Sequence, residues 1–224
     1  MSHFHHIAKL LSSDDLIQTD HLVGEARFFD GKETATMAAR EVKNNWQMDK
    51  ADKAYIKIQE LIHNALKRNV HFQAASQPRQ IHPFIISKYG TGQQYGWHVD
   101  SPLMGDPMIR TDMAMTIFLS DPESYEGGEL VLAGPGGPIG FKPVKGDAIL
   151  YPCQYLHCVT EIRKGERIAA VTWLQSNIQN SEQRQLLFEL NQVHSFMEQQ
   201  AADSPATAQL LQTYSNLFRM WAEV

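Results

Sequence analysis

Hydrophobic residues follow different spacings in three successive parts of the chain. Between Asp49 and Asn69 they recur every three or four positions, the spacing of an amphipathic helix. From Phe72 to Ser176, short apolar runs alternate with turns rich in glycine, proline and aspartate about every eight to twelve residues, a pattern typical of β-sandwiches and barrels. After Asn177 the helical spacing returns.

The first part predicts two helices that support the rest of the fold. Ser12, followed by Asp14 and Asp15, has the pattern of a helix N-cap with acids in the first turn, so we expect a short helix over about residues 13–20. A longer helix is predicted over Asp49–Asn69. Its apolar stripe, which should pack on a sheet, consists of Ala54, Ile58, Leu61, Ile62, Ala65 and Leu66.

The second part predicts a jelly roll, whose mouth is lined by inward-facing side chains and can hold a metal and a small ligand. The predicted strands are Ile81–Tyr89, Met113–Leu119, Glu129–Leu132, Ala148–Tyr151, Leu156–Thr160 and Arg167–Gln175. Gly127-Gly128 is predicted to form a turn or bulge, and Asp147 a turn.

The third part predicts a helical extension of two helices, over residues 181–200 and from Pro205 onwards. The first stripe is Leu186, Leu187, Leu190, Val193, Phe196 and Met197, and the second is Leu210, Leu211, Tyr214, Leu217, Phe218 and Trp221. The extension either caps the barrel or joins copies of the chain in a homo-oligomer. We therefore expect support for the core over residues 1–71, a jelly roll over 72–178 and a C-terminal extension over 179–224.

Composition excludes several classes of protein. The 224 residues are 43% hydrophobic and 20% charged, and the formal net charge is −5, as in an ordinary globular protein. Without an arginine-rich run, a nucleic-acid partner is not expected. No apolar run reaches the roughly 18 residues of a membrane span, and no signal peptide is evident, so a cytoplasmic location is expected.

The two cysteines, Cys153 and Cys158, flank His157. Two cysteines are too few for a disulfide framework, so we expect reduced, partly buried thiols. A zinc site made of cysteine and histidine is the alternative, although the sequence lacks the second cysteine pair that such sites commonly use.

His98 and Asp100 are the strongest candidates for chemistry. On a strand, residues two apart point to the same face, so the imidazole and the carboxylate converge. With His157 on a later strand they would form the facial triad of two histidines and one carboxylate found in non-haem Fe(II) oxygenases. The chain has ten histidines, so the pair alone is also compatible with a structural histidine.

Arg167 opens an apolar strand ten residues after His157. A buried guanidinium needs an anion, and its planar fork matches a carboxylate. That carboxylate is either the distal group of 2-oxoglutarate or a nearby acid, Glu161 or Glu166. Trp173 shares a strand face with Arg167 and is either beside the site or simply core.

Two tyrosines precede the His98 pair. The phenols of Tyr89 and Tyr95 either hydrogen-bond a bound carboxylate or fill the mouth of the barrel.

The order of these motifs resembles a known family. Tyr89-x5-Tyr95-x2-His98-x-Asp100, then Gly127-Gly128-Glu129-Leu130, His157 and Arg167, resemble the Fe(II)/2-oxoglutarate-dependent dioxygenases of the prolyl/lysyl hydroxylase (PKHD) type. Other segments are similar to the bacterial members linked to iron uptake: Val42-Lys43-Asn44-Asn45, Arg110-Thr111-Asp112, Phe118–Pro122, Leu150-Tyr151-Pro152 and Trp173–Ser176. The helical tail is similar as well.

The resemblance implies a fold and a reaction. The fold is α+β and mainly β, a double-stranded β-helix (jelly roll). The reaction couples oxidative decarboxylation of 2-oxoglutarate by O2 to hydroxylation of a second, unidentified substrate, with a link to iron uptake or homeostasis. Fe(2+) is the implied cofactor and L-ascorbate the reductant of oxidised iron.

The resemblance also implies roles for individual residues. His98, Asp100 and His157 would bind Fe(2+), and Arg167 with Tyr89 would bind 2-oxoglutarate. Tyr95 and Trp173 would surround these groups.

Two departures from the family pattern stand out. Arg167 occupies the place of a lysine in prolyl hydroxylases proper, although arginine is usual in the bacterial subgroup. A glycine common in that subgroup is absent around Ala35–Met37, so a different loop is expected there. Two alternatives remain: a non-catalytic jelly roll that senses iron or 2-oxoglutarate, and a zinc hydrolase.

Overall fold

The computed structural model describes residues 4–34, 42–134 and 136–223. The predicted loop difference around Ala35–Met37 lies outside the described residues. The described helices are α1 (Ser13–Glu25), α2 (Lys53–Arg68), α3 (Val70–Ser76), α4 (Ser181–Ala201) and α5 (Pro205–Trp221), with short 3-10 turns at Gly31–Thr34 and Pro122–Ser124.

The described parts of the chain form seventeen strands between and beside these helices. They are β1 (His5–Ile7), β2 (Phe28–Asp30), β3 (Lys43–Asn44), β4 (Trp46–Met48), β5 (Pro78–Ile81), β6 (Ile85–Tyr89), β7 (Gln94–His98), β8 (Leu103–Met104), β9 (Ile109–Arg110), β10 (Met113–Phe118), β11 (Tyr125–Gly127), β12 (Leu130–Gly134), β13 (Gly137–Phe141), β14 (Ala148–Pro152), β15 (His157–Val159), β16 (Ile162–Gly165) and β17 (Arg167–Ser176).

Two antiparallel sheets enclose a cavity. The larger sheet has the strand order β1-β14-β10-β17-β6-β4-β2, with β5 paired to β17, and the smaller sheet has the order β13-β12-β15-β7-β3. Inward-facing side chains of both sheets line the cavity between them. This arrangement confirms the predicted jelly roll and places all the predicted site residues on its strands or directly after them.

The segment 43–48 connects the two sheets. Strand β3 pairs with β7 in the smaller sheet, and β4, one residue later, pairs with β6 in the larger sheet. The N-terminal part of the chain therefore supplies one wall of the cavity in addition to supporting helices.

Helix α2 covers the outer face of the larger sheet. Its buried residues include Ile58, Ile62 and Leu66, which join Ile86 and Ala170 of the sheet in one core. Full burial of each large aliphatic side chain contributes about 1.5–3 kcal/mol. The stripe that the sequence predicts is therefore the packing face.

The ends of this helix differ from those predicted. Asp52 caps α2 by accepting a hydrogen bond from the Ala54 N–H, so the helix begins at Lys53. Asn69 ends it and accepts from the Phe72 N–H to begin α3. In α1 the predicted Ser12 cap is confirmed as a capping box with Asp15, but the helix continues to Glu25.

The C-terminal helices occur where predicted, but the first of them packs differently. In α4 the buried residues are Arg184, Leu187 and Phe188, whereas Leu186, Val193 and Phe196 of the predicted stripe are exposed. The helix meets the core near its beginning, since the Phe188 ring packs against those of His5 and His71 with centroids 4.7 and 5.2 Å apart. Among the described helices, none combines the length and hydropathy needed to cross a membrane.

Asp147 does more than form the predicted turn. Its buried carboxylate accepts hydrogen bonds from the His6 ring Nε2 at 2.6 Å and from the Lys9 N–H at 2.8 Å. These bonds hold the N-terminal strand β1 against β14, to which it is paired.

Candidate active site

Two neighbouring strands place His98 and His157 opposite each other. His98 ends β7, His157 begins β15, and the two residues are direct partners in the antiparallel pairing of these strands. Asp100 follows β7, and its Oδ2 lies 3.7 Å from Nε2 of His157. One ligand atom from each of the three side chains lies within 4.8 Å of the others. The structure therefore brings the predicted triad together.

Backbone carbonyls fix the orientation of both imidazoles. Nδ1 of His98 lies 2.7 Å from the Gly96 carbonyl oxygen, and Nδ1 of His157 lies 3.0 Å from that of Tyr155. Because a carbonyl can only accept, each Nδ1 carries the hydrogen and donates it. Each Nε2 then keeps its lone pair, the form in which histidine binds a metal.

The electrostatics of the triad favour a cation. Burial, with a further contribution from His157, lowers the pKa of His98 to about 3, so this imidazole is neutral. Burial also raises the pKa of Asp100, although His157 and Trp173 act in the opposite direction. The Asp100 Oδ2 atom is buried without a hydrogen-bond partner. A divalent cation would bind this oxygen and both Nε2 lone pairs, so the donor set fits a non-haem metal.

Aromatic side chains surround the triad. The Tyr95 ring stacks on His98 with centroids 3.6 Å apart and planes inclined by 14°. Trp173 lines the same cavity and has a lowering effect on the pKa of the Asp100 carboxyl. Tyr151, which is not among the predicted site residues, packs edge-on against His157.

The two cysteines are free and buried, as expected. Within the described parts of the chain, the single group of three potential metal ligands is His98, Asp100 and His157. Neither Cys153 nor Cys158 belongs to it, so the structure does not support the alternative zinc site.

Arg167 is a buried cation in the same cavity. It is 1% exposed and pairs with Tyr89 across strands β17 and β6. Its guanidinium carbon lies 5.4 Å from the centroid of the Tyr89 ring and 5.3 Å from that of Phe118, and its Nε has no hydrogen-bond partner.

The nearby acids do not neutralise this arginine. Glu166 instead lies 3.6 Å from the Lys88 ammonium, and Glu161 is exposed. In the described residues Arg167 has no ion pair, so the predicted alternative of a local acidic partner is wrong. An anion that enters the cavity would provide the missing partner.

Because Gly128 has no side chain, it leaves room for the side chain of Arg167. A Cβ at this position would lie 2.4 Å from Cδ1 of Ile162 and 3.0 Å from Cδ of Arg167. The glycine also has a φ of +66°, which other residues rarely adopt. Pairing of β11 with β16 shifts register just before Gly127, which confirms the predicted bulge.

Three further residues of the cavity are not among the predicted site residues. Lys43, Asn45 and Gln47 are all buried and line the cavity. Burial lowers the pKa of Lys43 to about 8, and the negative charge of Asp30 offsets part of this effect. The signal for these residues is their alternation, since every second residue of an extended segment points to one side.

Models of protein families match most of the chain. A model described as "2OG-Fe(II) oxygenase superfamily" matches residues 84–175. A second, the "PKHD-type hydroxylase C-terminal domain", matches residues 182–223.

Curated relatives match over nearly the whole length. A PKHD-type hydroxylase of a Synechococcus species is 42% identical over 220 residues, which cover 97% of this chain and 98% of the relative. The PKHD-type hydroxylase YbiX of Shigella dysenteriae is 37% identical over 223 residues, covering 98% and 99% of the two chains.

Solved structures show the same fold at low sequence identity. A prolyl hydroxylase from Trichoplax adhaerens, in complex with a peptide of hypoxia inducible factor, has a TM-score of 0.56 and 15% identity, covering 82% of this chain and 86% of that one. The viral collagen prolyl hydroxylase of Paramecium bursaria Chlorella virus-1 has a TM-score of 0.51 and 21% identity, covering 78% and 97%.

Full-length identity to the curated relatives decides the family, and the buried triad is consistent with it. The family implies Fe(2+) as cofactor, 2-oxoglutarate and O2 as cosubstrates, and typically ascorbate as reductant. The chain belongs to the PKHD-type hydroxylases of the 2OG-Fe(II) oxygenase superfamily and is a 2-oxoglutarate-dependent dioxygenase.

Proposed function

We propose that His98, Asp100 and His157 bind Fe(2+), that Arg167 binds the distal carboxylate of 2-oxoglutarate, and that Tyr89 helps to hold this cosubstrate. The enzyme would couple decarboxylation of this oxo acid to hydroxylation of a second substrate. One observation carries the proposal: two imidazoles and a carboxylate oxygen without a hydrogen-bond partner share a cavity with a buried guanidinium that makes no ion pair among the described residues.

The side chains around the triad hold the metal ligands in position. Fe(2+), when bound with 2-oxoglutarate and O2, supplies the oxidation chemistry. The carbonyls of Gly96 and Tyr155 keep both Nε2 lone pairs directed at the site, and the stacked Tyr95 ring restricts rotation of His98. Such supporting contacts commonly contribute about 10–100-fold to metal affinity.

The other end of the cavity would orient the oxo acid. Arg167 offers a planar pair of N–H groups for one carboxylate. The buried rings of Tyr89 and Phe118 flank the guanidinium and exclude water from it, which strengthens the charge–charge attraction. The space between these side chains measures about 540 Å³ when the open solvent at its mouth is included.

An anaerobic titration tests these assignments. Protein loaded with Fe(2+) under argon should develop a visible charge-transfer band when 2-oxoglutarate is added. Arg167→Met should need about tenfold or more 2-oxoglutarate for half the band, because a hydrogen-bonded charge pair is lost. The exposed Arg163→Met serves as a matched control and should behave as wild type.

The remaining outcomes are equally informative. A bound metal without a band would reject the proposed chelation, and equal half-saturation for both arginine variants would reject the role of Arg167. If the band forms but added 2-oxoglutarate causes no O2 consumption, the alternative of a non-catalytic sensor of iron or 2-oxoglutarate would replace turnover.

We also propose the link to iron uptake that the resemblance implies. It rests on the similarity of segments such as Leu150-Tyr151-Pro152 to the bacterial subgroup. Iron-limited cultures that carry wild type or His98→Ala should differ in iron accumulation; equal accumulation would reject the link. The two buried free thiols are in keeping with the proposed cytoplasmic location.

The exposed apolar side chains of α4 support a homo-oligomer. Leu186, Val193 and Phe196 lie on one side of this helix and are 45–61% exposed, which would be covered in a contact between copies of the chain. Light scattering after gel filtration should give a multiple of 25.4 kDa. The combined Val193→Ser and Phe196→Ser variant should be monomeric, whereas a monomeric wild type would reject the proposal.

A further inference from the structure

Tyr151 lines the cavity, and neither the triad nor Arg167 explains why it carries a hydroxyl. The residue belongs to β14 and is only 1% exposed. Its ring packs edge-on against the imidazole of His157, with centroids 5.4 Å apart. The ring alone would fill this part of the wall, whereas a buried phenol O–H usually has a hydrogen-bond partner. The hydroxyl therefore needs an explanation of its own.

Strand pairing fixes the level of the cavity at which Tyr151 begins. Ala114 of β10 is the partner of Tyr151 on β14 and of Trp173 on β17, so Tyr151 and Trp173 lie at the same level of the larger sheet. Trp173 has a lowering effect on the pKa of Asp100 and so marks the triad end of the cavity. Arg167 opens β17 at the opposite end.

Thr116 places the hydroxyl of Tyr151 one step closer to Arg167. Thr116 follows Ala114 by two residues on β10, so it points to the same face, and it lines the cavity with 3% of its surface exposed. It lowers the pKa of Tyr151 by hydrogen bonding, the direction expected when the threonine hydroxyl donates and the phenol oxygen accepts. The O–H of the phenol then remains as a donor for a ligand in the cavity.

The charges around this phenol show which end of the cavity it serves. Burial and the charge of Asp100 raise the pKa of Tyr151 well above its ordinary value, whereas Arg167 lowers it. The hydroxyl is therefore within electrostatic reach of both the triad and the guanidinium. Asp100 has the larger effect of the two, which indicates that the hydroxyl lies nearer to the triad.

We propose that the Tyr151 hydroxyl donates a hydrogen bond to the oxo-acid end of 2-oxoglutarate, the end that Fe(2+) would bind, and that Thr116 holds this hydroxyl in place. This inference rests on the proposed function. Arg167 would bind the distal carboxylate and Tyr151 the carboxylate next to the oxo group, so that both ends of the cosubstrate are held. Tyr151 is then a binding residue and Thr116 a positioning residue.

A comparison of two oxo acids tests which end Tyr151 binds. 2-Oxopentanoate has the carbon chain of 2-oxoglutarate but lacks its distal carboxylate. Each acid is titrated under argon into protein loaded with Fe(2+), and the concentration that gives half the charge-transfer band is measured. Tyr151→Phe should raise this concentration about tenfold for both acids, because a hydrogen bond to a charged group is lost. Arg167→Met should raise it for 2-oxoglutarate alone.

The wavelength of the band provides a second readout. At saturating 2-oxoglutarate, Tyr151→Phe should shift the band, because the lost hydrogen bond acts on the group that chelates the metal. Arg167→Met should leave the wavelength as in wild type, since it acts on the distal carboxylate. The affinity for Fe(2+) should be unchanged in Tyr151→Phe, because phenylalanine keeps the ring against His157.

Further variants test the role of Thr116 and control for the loss of a buried hydroxyl. Thr116→Val keeps the shape of the side chain but should raise the half-saturating concentration of both acids, whereas Thr116→Ser should behave as wild type. Tyr55→Phe is the matched control, because Tyr55 is a buried tyrosine of α2 in the core on the outer face of the larger sheet. It should bind both acids as wild type does.

The outcomes separate this inference from the proposed function. Bound Fe(2+) without a band in wild type would count against the proposed function. A normal wild-type band with the same half-saturation and wavelength in Tyr151→Phe would overturn the inference alone. It would also be overturned if Tyr151→Phe weakened binding of 2-oxoglutarate but not of 2-oxopentanoate, since the hydroxyl would then serve the distal carboxylate together with Arg167.

Discussion

At the scale of single residues, the site depends on side chains that are buried with unused hydrogen-bonding capacity. Arg167 Nε and Asp100 Oδ2 are both buried without a hydrogen-bond partner. Each would be expensive to bury alone, and both residues line one cavity. Their common location indicates that ligands complete the hydrogen bonding that the fold leaves open.

Gly128→Ala should weaken 2-oxoglutarate binding while leaving iron binding intact. The new methyl group would collide with Ile162 and press on Arg167, which displaces the guanidinium. Anaerobic titrations with Fe(2+) and then 2-oxoglutarate measure the two affinities.

Gly92→Ala is the matched control for this variant. Gly92 has a φ of +78°, and a Cβ there would meet no atom within 4 Å. Both variants should lose about 1–2 kcal/mol of stability through the strained backbone, but only Gly128→Ala should need more 2-oxoglutarate. An equal effect on cosubstrate binding would show that backbone strain alone is responsible.

Tyr95→Ala should lower Fe(2+) affinity about tenfold or more, because the ring stacked on His98 restricts its orientation. Tyr95→Phe keeps the stacked ring and should bind Fe(2+) as wild type does. If the phenylalanine variant lost as much affinity as the alanine variant, the hydroxyl rather than the stacking would be the important group.

At the scale of elements, the pairing of strands sets the positions of the site residues. The direct pairing of His98 with His157 depends on the register of β7 and β15, and Arg167 is set opposite Tyr89 by β17 and β6. A shift of one residue in either pair would turn these side chains to the other face of the sheet.

Ile62→Ala in α2 should destabilise the protein by about 2–5 kcal/mol, the usual cost of a cavity at a buried isoleucine. Ile62 is fully buried in the main core. Ile56→Ala, on the exposed side of the same helix, should change stability by less than about 0.5 kcal/mol. Urea unfolding followed by circular dichroism measures both, and similar losses would contradict the packing described for α2.

At the scale of the whole molecule, the ends of the chain share contacts with the jelly roll. Phe188 from α4 packs on His5 of β1 and His71 of α3. At the C-terminus, Arg110 binds Asp112 and Glu223 together, with distances of 2.6 Å to each. The predicted region 179–224 therefore contacts the region 1–71 through packed rings and the region 72–178 through an ion pair at the surface.

Phe188→Ala should cost about 3–5 kcal/mol, as expected for a buried aromatic residue, and unfolding should remain a single transition. Urea unfolding monitored by tryptophan fluorescence and by circular dichroism tests this, because coincident curves indicate one cooperative unit. Ile17→Ala, an exposed position in α1, is the control. Separate transitions would instead show that the C-terminal helices unfold independently.

Hydrophobic spacing by itself determined which parts of this chain are helical and which form a jelly roll, because burial of apolar surface imposes a period of 3.6 on helices and 2 on strands. The spacing of His98 and Asp100, with the later His157, made these residues candidates for the triad, and the resemblance to the family assigned them to Fe(2+). An anionic partner for Arg167 was also expected, since a charge that opens an apolar strand needs one, but the sequence left open whether that partner was a ligand or a nearby acid.

Only the tertiary structure decided how distant residues meet. Strand pairing sets His157 opposite His98, and it leaves Arg167 without an acid although Glu161 and Glu166 are near in sequence. It also brings Lys43, Asn45 and Gln47 into the cavity, where alternation alone did not show which face would be buried. These features depend on contacts between strands far apart in the chain, and local spacing carries no information about which strands will be neighbours.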